Sequence, residues 1–536
     1  MADIAELDEL ISQQLSQHDL AQCIRVSRKW FRLFAPHLWG DLSCLENPSK
    51  VRQQAFGRVV LEDYLLKHQH QESEDEDYDA EQPLPTTLSS RPLAKYGPWI
   101  RELPYPRQLY IILHSVCDLD VDFTATELMR HLYKQCPIME FQHLTLFTSS
   151  IEWDELMEVV SEYVIPRTRS LRVEKQHRHH DLESWRLKYV LRHCSSIMEE
   201  LTIQTNVIYL EDDNDKEDDD EEAQPWTQLK RLELKWCLDW SEDKAFWAWL
   251  WKRCSHVEHL VVNDMDDVRQ SLAEGILTHM PNLNKIHLEG TSWKSEEIVA
   301  ILSASRQGWK KVSMSCLSLS PTAMTCLMNH SSTLERLMLD GIHGVTHSDK
   351  IQVLRCCPML YEFSDAGQQS NSRFIDVHSF VDQDPDTGSL KAWESEASLR
   401  ALKICIVGIP RPELYESQVI KEDYPGQGQE LHNRVYARLA RLTNLESLWL
   451  GEEGHHHGAF SCLEMSLESG LDGISGLKAL RELNVSSMRT RIGEREVQWM
   501  VEHWPKLRVI HGLLEKGRDK KAVEWLQQHH PDISLK

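Results

Sequence analysis

The residues whose type first suggests chemistry are three consecutive histidines, His455-His456-His457. Imidazole is a common metal ligand. Three adjacent side chains cannot converge on one ion without unusual backbone, and no cysteine or acid pair stands beside them at ligand spacing. A solvated loop is the plainer reading, and His177, His179 and His180 read the same way. Cys194, Cys254, Cys356 and Cys357 each stand just before a leucine-rich segment, where a small apolar side chain packs into a turn. The thirteen cysteines show no paired spacing, which predicts reduced thiols rather than a disulfide framework. Neither Gly-x-Ser-x-Gly, nor a glycine-rich loop ending in Gly-Lys-Ser/Thr, nor His-Glu-x-x-His occurs. Glycine is scarce, 22 of 536 residues, which disfavours a phosphate cradle. The expectation is a chain without catalytic residues, bound metal or cofactor, and not an enzyme.

Composition points the same way. Apolar residues make up 41% and charged residues 27%, a globular balance. The formal charge is −25, and two tracts carry most of it. Gln71–Glu81 holds seven acids and no base; Glu211–Glu222 holds ten acids and one lysine. Such runs are usually solvated loops; docking on a basic partner is the minority reading. Nucleic acid is disfavoured as a partner, because phosphate binding needs a positive surface. No stretch approaches the roughly 18 to 20 apolar residues that span a bilayer, and the N-terminus lacks a basic start followed by an apolar run. No membrane association is expected. The chain reads as soluble and intracellular, in cytoplasm, nucleus or both.

The elements that position these residues follow from a repeated spacing. The hexapeptide apolar-x-x-apolar-x-apolar recurs as Leu229-Lys-Arg-Leu232-Glu-Leu234, Val257-Glu-His-Leu260-Val-Val262 and Leu283-Asn-Lys-Ile286-His-Leu288. It returns from Leu334, Leu399, Leu445 and Leu480, and more weakly from Met198, Trp309 and Leu360. Anchors from Leu229 to Leu360 fall 25 to 28 residues apart, inside the leucine-rich-repeat period of roughly 20 to 29. Later gaps of 39, 46 and 35 residues imply insertions. Helical patterns lie between anchors: Val268, Leu272, Ile276 and Met280; Phe246, Trp249, Leu250 and Arg253; Trp185, Tyr189, Val190 and Cys194. Each unit is thus a strand followed by a helix. One unit cannot bury its own apolar face, so neighbours must stack. The predicted fold class is α/β: a leucine-rich-repeat solenoid with parallel strands on its concave face and helices on its convex face. A doubly wound α/β enzyme also alternates strand and helix, but it does not call for one apolar spacing ten times over.

Alternation along a strand then selects a recognition surface. The residue between the two inward apolar positions points out of the concave face. These positions include Thr202, Glu233, His287, Met338, Lys403, Trp449 and Asn484, the candidate substrate-binding set, along with Val261 and Ser313. At roughly 4.8 Å per strand, ten repeats give an arc of about 50 Å, suited to a folded protein or a long peptide. Two readings stand for Trp449: an interface anchor, or a ring covered by the neighbouring insertion. Trp236, Trp240 and Trp293 lie just past strands and read as loop-packing residues.

Residues 1–45 form a separate helical pattern. Ile4, Leu7, Leu10, Ile11 and Leu15 recur at spacings of three and four. A second helix follows from about Leu20 to Phe34, ended by Pro36. A linker with acidic and Pro-rich segments occupies 46–135. The repeats fill 136–536, with insertions near 205–226, 365–394 and 410–430.

Residues 15–39, LSQHDLAQCIRVSRKWFRLFAPHLW, resemble the second half of an F-box. The matching positions are Leu15, Asp19-Leu20, Cys23, Val26-Ser27, Trp30, Pro36 and Leu38-Trp39. The first half departs from that family, since no proline precedes Pro36. With the repeats, the chain is similar to fungal-type F-box and leucine-rich-repeat receptors of cullin–RING ubiquitin ligases. The resemblance implies an F-box that docks on a Skp-type adaptor, and through it on a cullin–RING ligase, while the repeats hold a protein substrate. The implied adaptor contacts are Leu7, Leu10, Ile11, Leu15, Leu20, Val26 and Trp30; Trp30 serves there as an interface anchor or as part of the module's own core. The alternative is a non-catalytic leucine-rich scaffold or inhibitor whose N-terminal helices cap the solenoid.

The clustering of charge in surface-loop composition carries a first prediction. Deleting Asp212–Glu222 leaves the melting temperature nearly unchanged in a thermal scan; a drop of many degrees would make that tract part of the folded framework.

Overall fold

The computed structural model describes residues 60, 124–136, 141–147, 153–174, 182–204, 207–208, 224–235, 244–263, 269–365, 374–409, 427–450, 463–486, 488, 492–514 and 519–536. The N-terminal module read over 1–45, with Leu7, Leu10, Ile11, Leu15, Leu20, Val26 and Trp30, lies outside them. So do both acidic tracts, Trp236, Trp240 and His455–His457. The chain divides into two compact units, Met1–Leu229 and Lys230–Lys536.

In the first unit, helix α1 spans Ala125–Gln135. It starts at Thr124 because that side chain accepts the Glu127 backbone N–H at 3.2 Å, while the Glu127 carboxylate accepts the Thr124 N–H at 2.9 Å. Its buried stripe is Leu128, Met129, Leu132 and Tyr133. Three parallel strands follow: β1 (Phe141–Phe147), β2 (Thr168–Glu174) and β3 (Glu200–Gln204). Leu144 pairs with Leu171 and Leu171 with Leu201, which keeps the inward leucines abreast. Helix α2 (Trp153–Val159) lies between β1 and β2, and α3 (Ser184–Arg192) between β2 and β3. The buried stripe of α3 differs from the expected one. Leu187 and Leu191 are fully buried beside Val190, whereas Tyr189 is 38% exposed. A leucine pair four residues apart claims the inner face, and the tyrosine turns its ring to His193 on the outside.

The second unit repeats one strand–helix element. Strands β4 (Arg231–Lys235), β5 (His259–Asn263), β6 (Lys285–Glu289), β7 (Lys311–Ser315) and β8 (Arg336–Asp340) each hold five residues. They continue as β9 (Glu362–Ser364), β10 (Ala401–Lys403), β11 (Ser447–Trp449), β12 (Glu482–Asn484), β13 (Val509–His511) and β14 (Ser534–Leu535). All neighbours pair in parallel, and the register never slips. Leu232, Leu260, Ile286, Val312, Leu337, Phe363, Leu402, Leu448, Leu483, Ile510 and Leu535 stand in one row. Helices α4 (Lys244–Arg253), α5 (Arg269–His279), α6 (Ser295–Ala304), α7 (Pro321–Met328) and α8 (His347–Cys356) connect the early strands and pack successively on one another. Further on come α9 (Gln427–Ala440), α10 (Glu494–His503) and α11 (Lys520–His529). The parallel-strand solenoid expected from the hexapeptides is the fold.

Caps explain several helix starts. Ser320 accepts the Ala323 N–H at 3.2 Å ahead of Pro321, and Thr346 forms a capping box with Asp349. The expected insertion at 365–394 carries its own structure. Phe374–Asp376 pairs in parallel with Cys405–Val407 in a separate two-stranded sheet, and the single turn Val377–Phe380 buries Phe380 against Trp393. Cys194, Cys254 and Cys357 are buried in the turns; Cys356 faces solvent. Burial, then the neighbouring Cys356 and Glu394, pushes the Cys357 thiol up to about 12, which leaves it protonated and inert.

Tight helix stacking gives a test whose sign is decided by packing. Trp247 and Trp251 of α4 are both 2% exposed and stacked with ring centroids 5.0 Å apart. Gly275 of α5 faces Trp251: a Cβ there would stand 2.7 Å from Trp251 Cδ1. Helix propensity alone favours Gly275→Ala by about 1 kcal/mol. The clash with a buried indole instead predicts a loss of about 1–3 kcal/mol. Equilibrium denaturation of Gly275→Ala against wild type measures the sign, and a gain in stability would contradict this packing.

Candidate functional site

The outward face of β4 to β8 is built by the five successive five-residue strands of the second unit. Alternation along each strand sends its first, third and fifth residues outward, while the second and fourth, such as Leu232 and Leu234, are no more than 2% exposed. Parallel register then turns these positions into three rows. The first row is Arg231, His259, Lys285, Lys311 and Arg336; the middle row is Glu233, Val261, His287, Ser313 and Met338. Together with Lys235 and Glu289 of the third row they line an open groove of about 540 Å³.

The groove carries five cations and two carboxylates. Glu233 is the most enclosed of its charged groups, 8% exposed, and binds both Arg231, at 3.2 Å, and Lys235. Burial pushes the Glu233 carboxyl up. Lys235, through its hydrogen bond and charge, and then Arg231 more than offset this, so the group lies below the usual carboxylate range. The Nδ1 of His287 meets Ser313 Oγ at 2.8 Å, and its Nε2 is 3.5 Å from Glu289. Glu289 also accepts from Asn263 Nδ2 at 2.9 Å. Arg336 holds Glu362 with two contacts, 2.8 and 3.2 Å. Lys285 reaches Glu258 only at 3.8 Å. Lys311 lies over the Tyr361 ring, 5.7 Å from its centroid, and among the described residues has no carboxylate partner.

The sequence-selected residues divide. Glu233, His287 and Met338 meet in this groove. Lys403 and Trp449 sit together further along the same sheet, the Lys403 ammonium 4.4 Å from the indole centroid. Trp449 is half-buried, with His511 at 5.3 Å between ring centroids, so its ring is already flanked on this chain. Thr202 belongs to the first unit, where it is half-buried on β3. Asn484 departs from the expectation: it is fully buried. Its Oδ1 accepts the Ser486 backbone N–H at 2.8 Å, which folds the side chain onto the end of its own strand. Trp293 packs in its loop, with its ring N–H donating to the Glu289 carbonyl at 3.0 Å.

The basic first row was not singled out from the sequence. The signal was present in the third letter of each hexapeptide: Arg231, His259, Lys285, Lys311 and Arg336 all precede the first inward residue of a strand. Among the described residues no three His, Cys, Asp or Glu side chains group as metal ligands, and no helix is long and apolar enough to cross a membrane.

No family model and no curated protein matches the chain. Similar solved structures include the Rad7 and Elc1 complex in yeast, at 13% identity and a TM-score of 0.38, over 76% of this chain and 77% of that one. An internalin (inlF) from Listeria monocytogenes aligns at 8% identity and a TM-score of 0.33, over 79% of this chain and 92% of that one.

The groove makes a pH prediction at His259. Burial first, then the charges of Arg231, Lys285 and His287, lower its imidazole from 6.5 to about 4. The unfolded imidazole takes up its proton near 6.5 and the folded one only near 4. Between those values the unfolded chain binds more protons, so stability falls as the pH drops through this window and is level in this respect above it. Denaturation midpoints measured across the window show a slope that flattens in His259→Gln. A slope identical in the two proteins, or a His259 ring titrating near 6.5 by NMR, would contradict the groove's electrostatics.

Proposed function

We propose that this chain is the non-catalytic substrate-recognition subunit of a cullin–RING ubiquitin ligase, and that the strand face of its repeats grips a protein. The observation that carries the recognition half is the unbroken register of the second unit, which holds mixed polar and charged side chains outward on a rigid face. Sites built on regular elements keep their geometry better than sites on loops. The ligase half is supported by residues 15–39, whose Asp19-Leu20, Cys23, Val26-Ser27, Trp30 and Leu38-Trp39 follow the F-box order. A helical piece of about 40 residues buries too little surface to be robust alone, which favours a module completed by a partner. Leu7, Leu10, Ile11, Leu15, Leu20, Val26 and Trp30 supply the apolar contacts to a Skp-type adaptor in this reading. The chain itself then performs no bond chemistry. Its contribution to ubiquitin transfer is to raise the effective concentration of a substrate lysine near the charged conjugating enzyme.

Capture of a Skp-type adaptor by the full chain tests this directly. Wild type retains adaptor through washing, and Leu20→Asp loses it while the thermal transition of the repeats stays in place. An apolar-to-charged change inside an interface costs several kcal/mol, so a loss of about 100-fold or more is expected. Normal capture by Leu20→Asp would end the ligase reading. A lowered repeat transition in the same variant would instead mark the N-terminal helices as a cap on the solenoid.

A further inference from the structure

We propose that the groove over β4 to β8 binds an extended, Asp/Glu-rich peptide segment of the protein partner. This rests on the reading of the strand face as the recognition surface and gives that surface a ligand chemistry. The chain as a whole carries a formal charge of −25, yet this groove holds five cations against two carboxylates. The cations are not scattered. Arg231, Lys285, Lys311 and Arg336 occupy the same register position on strands that follow one another, with His259 completing the row.

The row has the dimensions of a short peptide. Four steps of about 4.8 Å span about 19 Å, the length of roughly six residues of extended chain. Its ends and its centre differ. Arg231 at one end is paired with Glu233, and Arg336 at the other with Glu362. The centre holds Lys285, whose nearest carboxylate is 3.8 Å away, and Lys311, which rests over a tyrosine ring. The available charge is therefore a spaced pair of lysine ammoniums inside an extended positive strip. That pattern matches carboxylates distributed along a peptide. A single phosphate group calls for cations that converge, with a free arginine fork, and here both guanidiniums are already occupied. Nucleic acid fits less well, since Glu233 and Glu289 interrupt the strip and no described Phe, Tyr or Trp lines it as a stacking platform. Val261, 6% exposed, and the half-buried Met338 provide an apolar floor for the aliphatic parts of such a segment.

Fluorescence anisotropy of the full chain with a fluorescein-labelled Glu-rich peptide of about ten residues reads this interaction, at low salt where the screening length exceeds about 10 Å. Wild type binds the peptide, and affinity falls as salt is added. Lys285→Glu with Lys311→Glu weakens binding by about tenfold or more, because each reversal sets like charges against each other. Lys252→Glu with Lys506→Glu makes the same change of net charge away from the groove, at two exposed lysines, and leaves binding within about twofold. Should the first pair melt early, Lys285→Gln with Lys311→Gln gives a smaller loss in the same direction. No binding by wild type overturns the proposal, as does equal loss in both double variants. Tighter binding of an equally charged single-stranded DNA, or of a peptide whose only charge is one phosphoserine, overturns it in favour of that ligand. Adaptor capture by the same variants is read separately, so a failed groove and a failed ligase assignment give different results.

Discussion

Everything in the second unit depends on one row of apolar side chains that have no partner inside their own repeat. Leu232, Leu260, Ile286, Val312 and Leu337 are each no more than 2% exposed, and each reaches that state only beside the next strand. Burying one such side chain contributes about 1.5–3 kcal/mol, whereas a lone strand–helix pair would leave it wet. The backbone ladder sets the strand separation, and the apolar row forbids a slip, because a shift by one residue would turn every inward side chain outward. A face with fixed rows follows from those two constraints. The side chains that point outward are placed by what points inward.

That placement determines what the face can hold. On β4 to β8 it aligns basic residues in one row and a mixture of polar and apolar ones in the next, and the neighbouring carboxylates neutralise the ends of the strip more than its middle. Further along, the Trp449 ring is flanked by the Lys403 ammonium and the His511 ring. Between the two regions lies the place where anchor spacing widens from 26 to 39 residues. There Lys350 of α8 is 1% exposed and pairs with Asp365, which is 5% exposed. A buried pair of this kind is costly to desolvate and contributes more to fixing one arrangement than to net stability. It ties the helix ahead of β9 to the chain leaving that strand, so the inserted segment departs from a fixed point.

The strands were legible because their signal is local. Each inward pair sits two residues apart in the hexapeptide, and the period repeats often enough to separate a solenoid from a doubly wound sheet. The helices were legible where four-residue spacing placed Leu272, Ile276 and Met280 on one stripe. Three features were not, each for a physical reason. Tyr189 looked like a core residue by spacing, but Leu187 and Leu191 fill the same face more completely. Asn484 occupies an outward position by alternation, yet its side chain bonds to its own backbone and is buried at the strand end. The side sheet of Phe374–Asp376 with Cys405–Val407 joins segments some thirty residues apart in the chain, and composition alone marks such segments as loop. The letters of the basic row stand in the repeat, but only register across strands brings them together.

Cross-linking the full chain to a captured protein partner with a lysine-reactive reagent, read by mass spectrometry, tests the central claim most directly. If the strand face is the recognition surface, Lys285, Lys311 and Lys403 carry the cross-links, and Lys252 of α4 and Lys520 of α11 do not. Cross-links concentrated on the helix-side lysines, with the strand-face lysines unmodified by partner, would contradict the account.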